Sequence, residues 1–319
     1  MNIYTNLQDI EYNIKTALTV GTFDGVHLAH REIMNKVTEL AENNELRSFV
    51  VTFDPHPQEV LKNKTPEIKI LTSLEEKLHI LENIGIENVL IINFTEKFSR
   101  TSPVEFYEKY IIGGIGLSYL VTGYDHTFGS NRVGNLSTLT ELGKRYNFNV
   151  IQISEIDVDG IPVSSTRIRN LISSGNITDA NRLLCYDYSF SAVVIEGDKV
   201  GRTIGYPTVN LKPIKPNKVM PDEGIYCVRV RYNDRIYNGM LYHGKRPTLS
   251  AGDRKAIEVH LFDFSENIYG ETIKVSFLCK LRDDRKFNST EELINQIDRD
   301  KENALKIFRN TGAVINNIQ

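Results

Sequence analysis

Residues 19–34 read TVGTFDGVHLAHREIM, and their texture decides the fold of the first half of the chain. An apolar run ending at Val20 stops at Gly21, and a short loop follows with a second glycine, Gly25. Ile33, Met34, Val37 and Leu40 then recur at helical spacing. The stretch is a strand, a glycine turn and a helix. Outward from it, SFVVTF (48–53), NVLIINF (88–94), SYLVTG (118–123) and FNVIQI (148–153) continue the apolar series, with helical stretches such as Leu74, Leu78 and Leu81 between them. Strands that are apolar on both faces, separated by helices, are what a parallel sheet covered on both sides requires. The N-terminal half is expected to be a doubly wound α/β sheet, Rossmann-like in plan.

Past a helical segment at 177–184 the texture changes. YSFSAVVIEGD (188–198), GIYCVRVRYNDRIYNGMLYHG (224–244), KAIEVHLFDF (255–264) and ETIKVSFLCKL (271–281) alternate polar and apolar residues between turn dipeptides. That pattern predicts antiparallel strands closing into a small barrel or sandwich. A last helix over 289–308 is expected to start at a Ser289 or Thr290 cap. The expected domains are 1–185 and 186–319.

Composition narrows the function classes. A net charge of -3, 40% hydrophobic residues and 25% charged residues describe a soluble globular protein without a basic field for nucleic acid. Three scattered cysteines, Cys185, Cys227 and Cys279, argue for free thiols in a reducing compartment rather than a disulfide framework. No apolar run reaches the ~18 residues of a membrane span, and the first residues lack a signal-peptide core, so a cytoplasmic protein without membrane contacts is expected. Oligomeric state is left open.

In an open α/β sheet the first strand-to-helix turn is a favoured phosphate site. Gly21, Phe23, Asp24 and Gly25 form that turn here, and His27 and His30 stand three apart at the helix start, where unpaired N–H groups favour an anion. Taken alone, the histidines are equally a solvated helix face, or half of a metal site completed by Asp54 or His56. A second stretch, IPVSSTRIRNLISSGN (161–176), puts Ser164, Ser165 and Thr166 at another helix start with Arg167 and Arg169 beside them. Two anion-ready helix starts in one α/β domain point to a nucleoside triphosphate.

The second half has its own cluster. VIEGDKVGRTIGYPTVNL (194–211) spaces Gly197, Gly201 and Gly205 by four and then brings Thr208 and Asn210 onto one face of an extended segment, where two oxygen donors can meet one cation. In KAIEVHLFDF, Glu258 and His260 share a strand face, and a carboxylate there is either solvated or a general base.

GTFDGVHLAH, VVTFDPHPQEVL, VTGYDHTFGSNRVGN and SSTRIR together resemble, in order and spacing, the adenylyltransferase half of bacterial bifunctional riboflavin kinase/FAD synthetases. GRTIGYPTVNL, GIYCVRV, IEVHLFDF, YGETIKVSFLCKLRDDRKFNSTEEL and QIDRD resemble the riboflavin kinase half, a small six-stranded antiparallel barrel. The resemblance implies ATP, riboflavin and FMN as substrates and Mg²⁺ as cofactor. It implies that His27 and His30 stabilise the α-phosphoryl group of ATP, with Gly21, Phe23, Asp24, Gly25, Ser165, Thr166 and Arg169 around the nucleotide. Asp125 and Phe128 would contact flavin. In the kinase half it implies Glu258 as base, Thr208 and Asn210 as ligands of Mg²⁺, and Gly201 and Gly205 along the nucleotide.

Two departures stand out. Ala29 replaces the superfamily's Gly between the histidines, which raises the alternative of a kinase with a weakened or inactive adenylyltransferase; a non-catalytic flavin-binding protein is a further alternative. Tyr242 and His243 precede Gly244 where the family has Asn-Ile-Gly.

Overall fold

The apolar runs form strands, as their length and composition dictate. In a computed structural model, residues 1–61, 68–124, 135–197, 200–245 and 255–315 are described. They divide into two units, Met1–Ser165 and Thr166–Gln319.

In the first unit the order is β1 (Asn2–Tyr4), β2 (Thr16–Val20), α1 (Leu28–Asn43), β3 (Arg47–Asp54), α2 (Pro57–Val60), α3 (Leu74–Ile84) and β4 (Asn88–Asn93). There follow α4 (Pro103–Phe106), continued in wider turns over Tyr107–Ile115, then β5 (Tyr119–Thr122), α5 (Leu136–Tyr146), β6 (Asn149–Gln152), a hairpin of β7 (Asp157–Val158) and β8 (Ile161–Pro162), and the start of α6 (Ser165–Ser173). The six-stranded sheet runs β1-β4-β3-β2-β5-β6 with every pairing parallel. Its faces are covered by two separate cores: Leu18, Val20, Phe49, Val51 and Leu120 on one, Ala17, Val50, Val89 and Val121 on the other. Alternate residues of one strand thus enter opposite cores, which is why the strands read as unbroken apolar runs. The short strand β1 was absent from the sequence pattern because its residues, Asn2 to Tyr4, are partly or fully exposed and make an edge. The strand order reverses between β2 and β5, so the β2–α1 loop sits at the topological switch point.

The second unit holds α7 (Ile177–Leu184), β9 (Ser189–Ile195), α8 (Val200–Thr203), β10 (Val209–Pro213), β11 (Gly224–Tyr232), β12 (Arg235–Lys245), β13 (Lys255–Leu261), β14 (Thr272–Asp283) and α9 (Thr290–Ile315). The strands close into an antiparallel barrel in the order β10-β13-β12-β11-β14-β9, sealed by the β9–β10 pairing. Its interior is aromatic: Phe277 stacks on Phe190 at 5.6 Å and meets Tyr226 edge-on at 5.4 Å. Helix α9, capped by Ser289 Oγ accepting from Glu292 N at 3.1 Å, buries Ala304 and Phe308 with Cys227, Met240 and Phe262. It runs on past the expected end at Phe308. Helix α7 is fastened to the barrel by Asn181, whose amide donates to the Phe277 carbonyl at 2.8 Å. Among the described residues no helix is long and apolar enough to cross a membrane.

Because Phe277 is fully buried between three aromatic rings, Phe277→Ala is expected to cost about 3–5 kcal/mol. Urea unfolding of the full chain, followed by aromatic CD, measures it; a loss below about 1 kcal/mol would mean that the barrel collapses onto the cavity.

Candidate functional site

At the switch point the β2–α1 loop is tied down at nearly every residue. Gly21 N donates to the Val51 carbonyl at 3.0 Å. The buried Asp24 carboxylate accepts from Leu71 N at 2.9 and 3.0 Å and from Thr72 N at 3.0 Å. Gly25 N donates to Thr72 Oγ1 at 3.0 Å, and Ser165 Oγ donates to the Asp24 carbonyl at 2.8 Å. Phe23, Gly25 and Val26 hold φ of 47°, 86° and 35°, a left-handed path that a β-branched valine adopts only under compulsion.

Two of the expected nucleotide residues also build the loop. The Asp24 carboxylate accepts from backbone N–H groups and so shapes the loop. Gly21 is required by its own loop, because a Cβ there would lie 2.7 Å from the Phe23 ring.

The loop delivers His27 to the N-cap of α1, where its side chain makes no capping bond. His27 and His30 stack with ring centroids 3.6 Å apart, and Phe23 packs edge-on against His30 at 5.3 Å. Burial, then the neighbouring His27, then Lys77, hold the His30 pKa well below its ordinary value, so His30 is neutral at pH 7. Its Nδ1 is buried with no hydrogen-bond partner among the described residues. Ala29 lies inside α1 and is absent from the positive-φ positions, so its methyl group adds bulk without backbone strain.

The alternative of a metal half-site finds no counterpart. His56 caps α2 by accepting from Gln58 N at 3.2 Å, and no group of three or more His, Cys, Asp or Glu among the described residues could hold a metal ion. Thr166 and Arg169 follow Ser165 along α6 and belong to the second unit. Asp125 and Phe128 lie outside the described residues.

On the barrel, strand register brings the second cluster together. Asn210 of β10 pairs with Glu258 of β13, which pairs on its other side with Tyr242 of β12. Directly opposed residues share a face, and this row is the outer one, since the intervening Val259 and Leu241 are fully buried inside. Thr208 Oγ1 donates to Glu258 Oε2 at 3.0 Å, which with the register brings Thr208, Asn210 and Glu258 together.

The glycines before them make room. A Cβ on Gly197 would collide with the Asn210 amide and one on Gly201 with the Tyr206 carbonyl, while Gly205 takes φ of 84°.

Around this cluster lie contacts the sequence did not reveal. Tyr206 donates to Asp298 of α9, and burial with that bond pushes its pKa up to about 12. Tyr242 donates to Asp284 at 3.0 Å. His260 Nδ1 lies 2.8 Å from the Pro207 carbonyl, with a pKa lowered first by burial. His243 faces the opposite way from Tyr242 and sits 2.8 Å from the buried Pro221 carbonyl. These contacts depend on where Asp298 of α9, Asp284 after β14, Pro207 and Pro221 are placed by the fold.

Comparison with known proteins follows this geometry. A family model of FAD synthetase matches residues 9–167 and one of riboflavin kinase matches 184–308. The bifunctional riboflavin kinase/FMN adenylyltransferase of Bacillus subtilis is 36% identical over 94% of this chain and 95% of its own length. That of Haemophilus influenzae is 36% identical over 92% and 94%. A crystal structure titled as a macrolide-efflux protein from Streptococcus pneumoniae superposes with a TM-score of 0.84 at 31% identity, covering 94% of this chain and 97% of that one. With both family models matched in order and such identity along nearly the whole length, the chain belongs to the bifunctional riboflavin kinase/FMN adenylyltransferase family.

Proposed function

We propose that the chain carries out both reactions of its family, riboflavin to FMN and FMN to FAD, each with ATP, at the two clusters described. The observation that carries this is the convergence of Thr208 Oγ1 on Glu258 Oε2 at 3.0 Å with Asn210 in register beside it. A carboxylate held on a barrel wall beside two neutral oxygen donors suits a phosphoryl transfer in which positioning and charge stabilisation dominate.

In the kinase half, 186–319, Glu258 accepts the proton of the riboflavin 5′-hydroxyl as that oxygen attacks the γ-phosphorus and ADP leaves. Gly201 and Gly205 give the nucleotide close access to the loop. The donors Thr208 and Asn210 are hard, neutral oxygens, which fits Mg²⁺ held partly by substrate phosphates. When bound, Mg²⁺ would supply neutralisation of phosphate charge. In the adenylyltransferase half, 1–185, an FMN phosphate oxygen attacks the α-phosphorus of ATP and pyrophosphate leaves. His27 and His30 donate to the α-phosphoryl oxygens, the first turn of α1 offers N–H groups, and Ser165, Thr166 and Arg169 bind the outer phosphates. Asp125 and Phe128 contact flavin. Small-molecule substrates and three free thiols support a cytoplasmic setting.

Incubation of the full chain with riboflavin, MgCl₂ and ATP, with products separated by chromatography, should give FMN and then FAD; absence of both would refute the assignment. Glu258→Gln is expected to lower FMN formation by about 10²–10⁴-fold while FMN-to-FAD conversion stays within twofold. His30→Ala should do the reverse, lowering FAD formation by about 10²-fold. Loss of both activities in either single variant would contradict separate sites.

The wild type should adenylylate FMN despite Ala29. Ala29→Gly should change the KM for ATP by less than about tenfold, and should cost about 1 kcal/mol of stability from helix propensity. If FAD appears only in that variant, the native site is inactive.

A further inference from the structure

Lys77 breaks every local rule for a lysine. It is 6% exposed, whereas lysine is almost never buried unless paired. It stands in the first turn of α3, behind the Ser73 cap, where the helix already presents positive partial charge and a cation is disfavoured. Its ammonium donates to two neutral acceptors, the Thr22 carbonyl at 2.7 Å and Thr52 Oγ1 at 3.1 Å. No carboxylate among the described residues lies within ion-pairing distance of it, and a third N–H has no protein acceptor there. Desolvation lowers its pKa, opposed by the more distant charges of Asp24, Asp54 and Glu59. A residue that costs stability on three counts is expected where function compensates.

Its location says which function. Thr22 and Thr52 follow or end the two central strands, β2 and β3, at their carboxyl ends, and Thr22 opens the loop that carries Phe23, Asp24 and His27. We propose that Lys77 is the fixed cation of the adenylyl-transfer site, a positioning residue that anchors the Thr22 carbonyl and supplies beside the loop the positive field that His30 does not. This rests on the adenylyltransferase assignment made above. His27 and His30 then act through N–H donation, and charge complementary to the phosphates comes from Lys77 and the α1 N-terminus. The groups facing His30 are His27 from the N-cap and Lys77 from α3, and those acting on Lys77 are Asp24, Asp54 and Glu59. Both neighbours of His30 disfavour its protonation. Removing Lys77 therefore lets the His30 pKa rise, and any step that needs neutral His30 loses its acid side at a higher pH.

The experiment has two arms on the full chain. In the first, ring-¹⁵N-labelled histidine NMR follows wild-type His30, assigned with His30→Gln. His30 is expected to stay neutral throughout pH 6–8, and titration at or above about 6.5, the unperturbed value, overturns the proposal. In the second, Lys77→Met and Lys77→Arg are compared with wild type for FMN adenylylation from pH 5.5 to 9, with riboflavin phosphorylation as internal control. Lys77→Met should lower kcat for FAD formation by about tenfold or more, move the acid limb to higher pH, and leave phosphorylation unchanged. Lys77→Arg should keep the limb where it is. Wild-type kcat and limb in Lys77→Met, or a loss of kcat without movement of the limb, refutes the proposal. Should Lys77→Met fail to fold, Lys77→Gln, which keeps an N–H for the Thr22 carbonyl without the charge, replaces it with the same expected outcomes. A wild type that makes no FAD defeats the assignment itself, while a His30 titration point that is higher in the Lys77 variant than in wild type still reports on Lys77.

Discussion

The Asp24 carboxylate, buried and accepting from the Leu71 and Thr72 N–H groups, is the contact on which the first unit's site depends. Three loop residues beside it occupy left-handed backbone, and such conformations cost on the order of 1–3 kcal/mol each for residues other than glycine. Hydrogen bonds to a charged acceptor contribute about 1.5–3 kcal/mol apiece, enough to offset that strain. The result is a loop that cannot relax, with the stacked His27 and His30 rings presented at the one place in the sheet where neighbouring crossovers diverge. Lys77 on the Thr22 carbonyl and Ser165 on the Asp24 carbonyl complete the same clasp.

The barrel achieves rigidity by another route. Six strands close without an edge, and the period of two along β13 sends Val259 into the aromatic core while Glu258 and His260 face outward. A slip of one residue would exchange those roles, so the hydrophobic core fixes the register that sets Glu258 opposite Asn210. Helix α9 then closes over part of that outer face through the buried Arg282–Asp300 pair at 2.8 Å and through Asp298 on Tyr206. Core packing and site geometry in this unit are consequences of one pattern.

The two units treat charge differently. On the barrel the carboxylate of Glu258 accepts from Thr208 Oγ1 and stands across the ladder from the amide-bearing Asn210. At the sheet's switch point a buried lysine and a neutral His30 stand around a helix start, where the positive partial charge favours an anion.

The sequence by itself determined the two fold classes, because the period of apolar residues is a local property: unbroken in β2 to β5, alternating in β9 to β14. It also placed Thr208 and Asn210 on one face of an extended segment, and strand register sets Glu258 beside them. It could not show that Asp24 and Gly21 also build the loop, because Leu71, Thr72 and the Phe23 ring are brought against them only in the folded chain. Lys77, read along the chain, is one more basic residue in a polar helix start. Only the tertiary structure buries it beneath the Thr22 carbonyl, because desolvation and long-range contacts depend on where distant segments pack and not on what adjoins them in sequence.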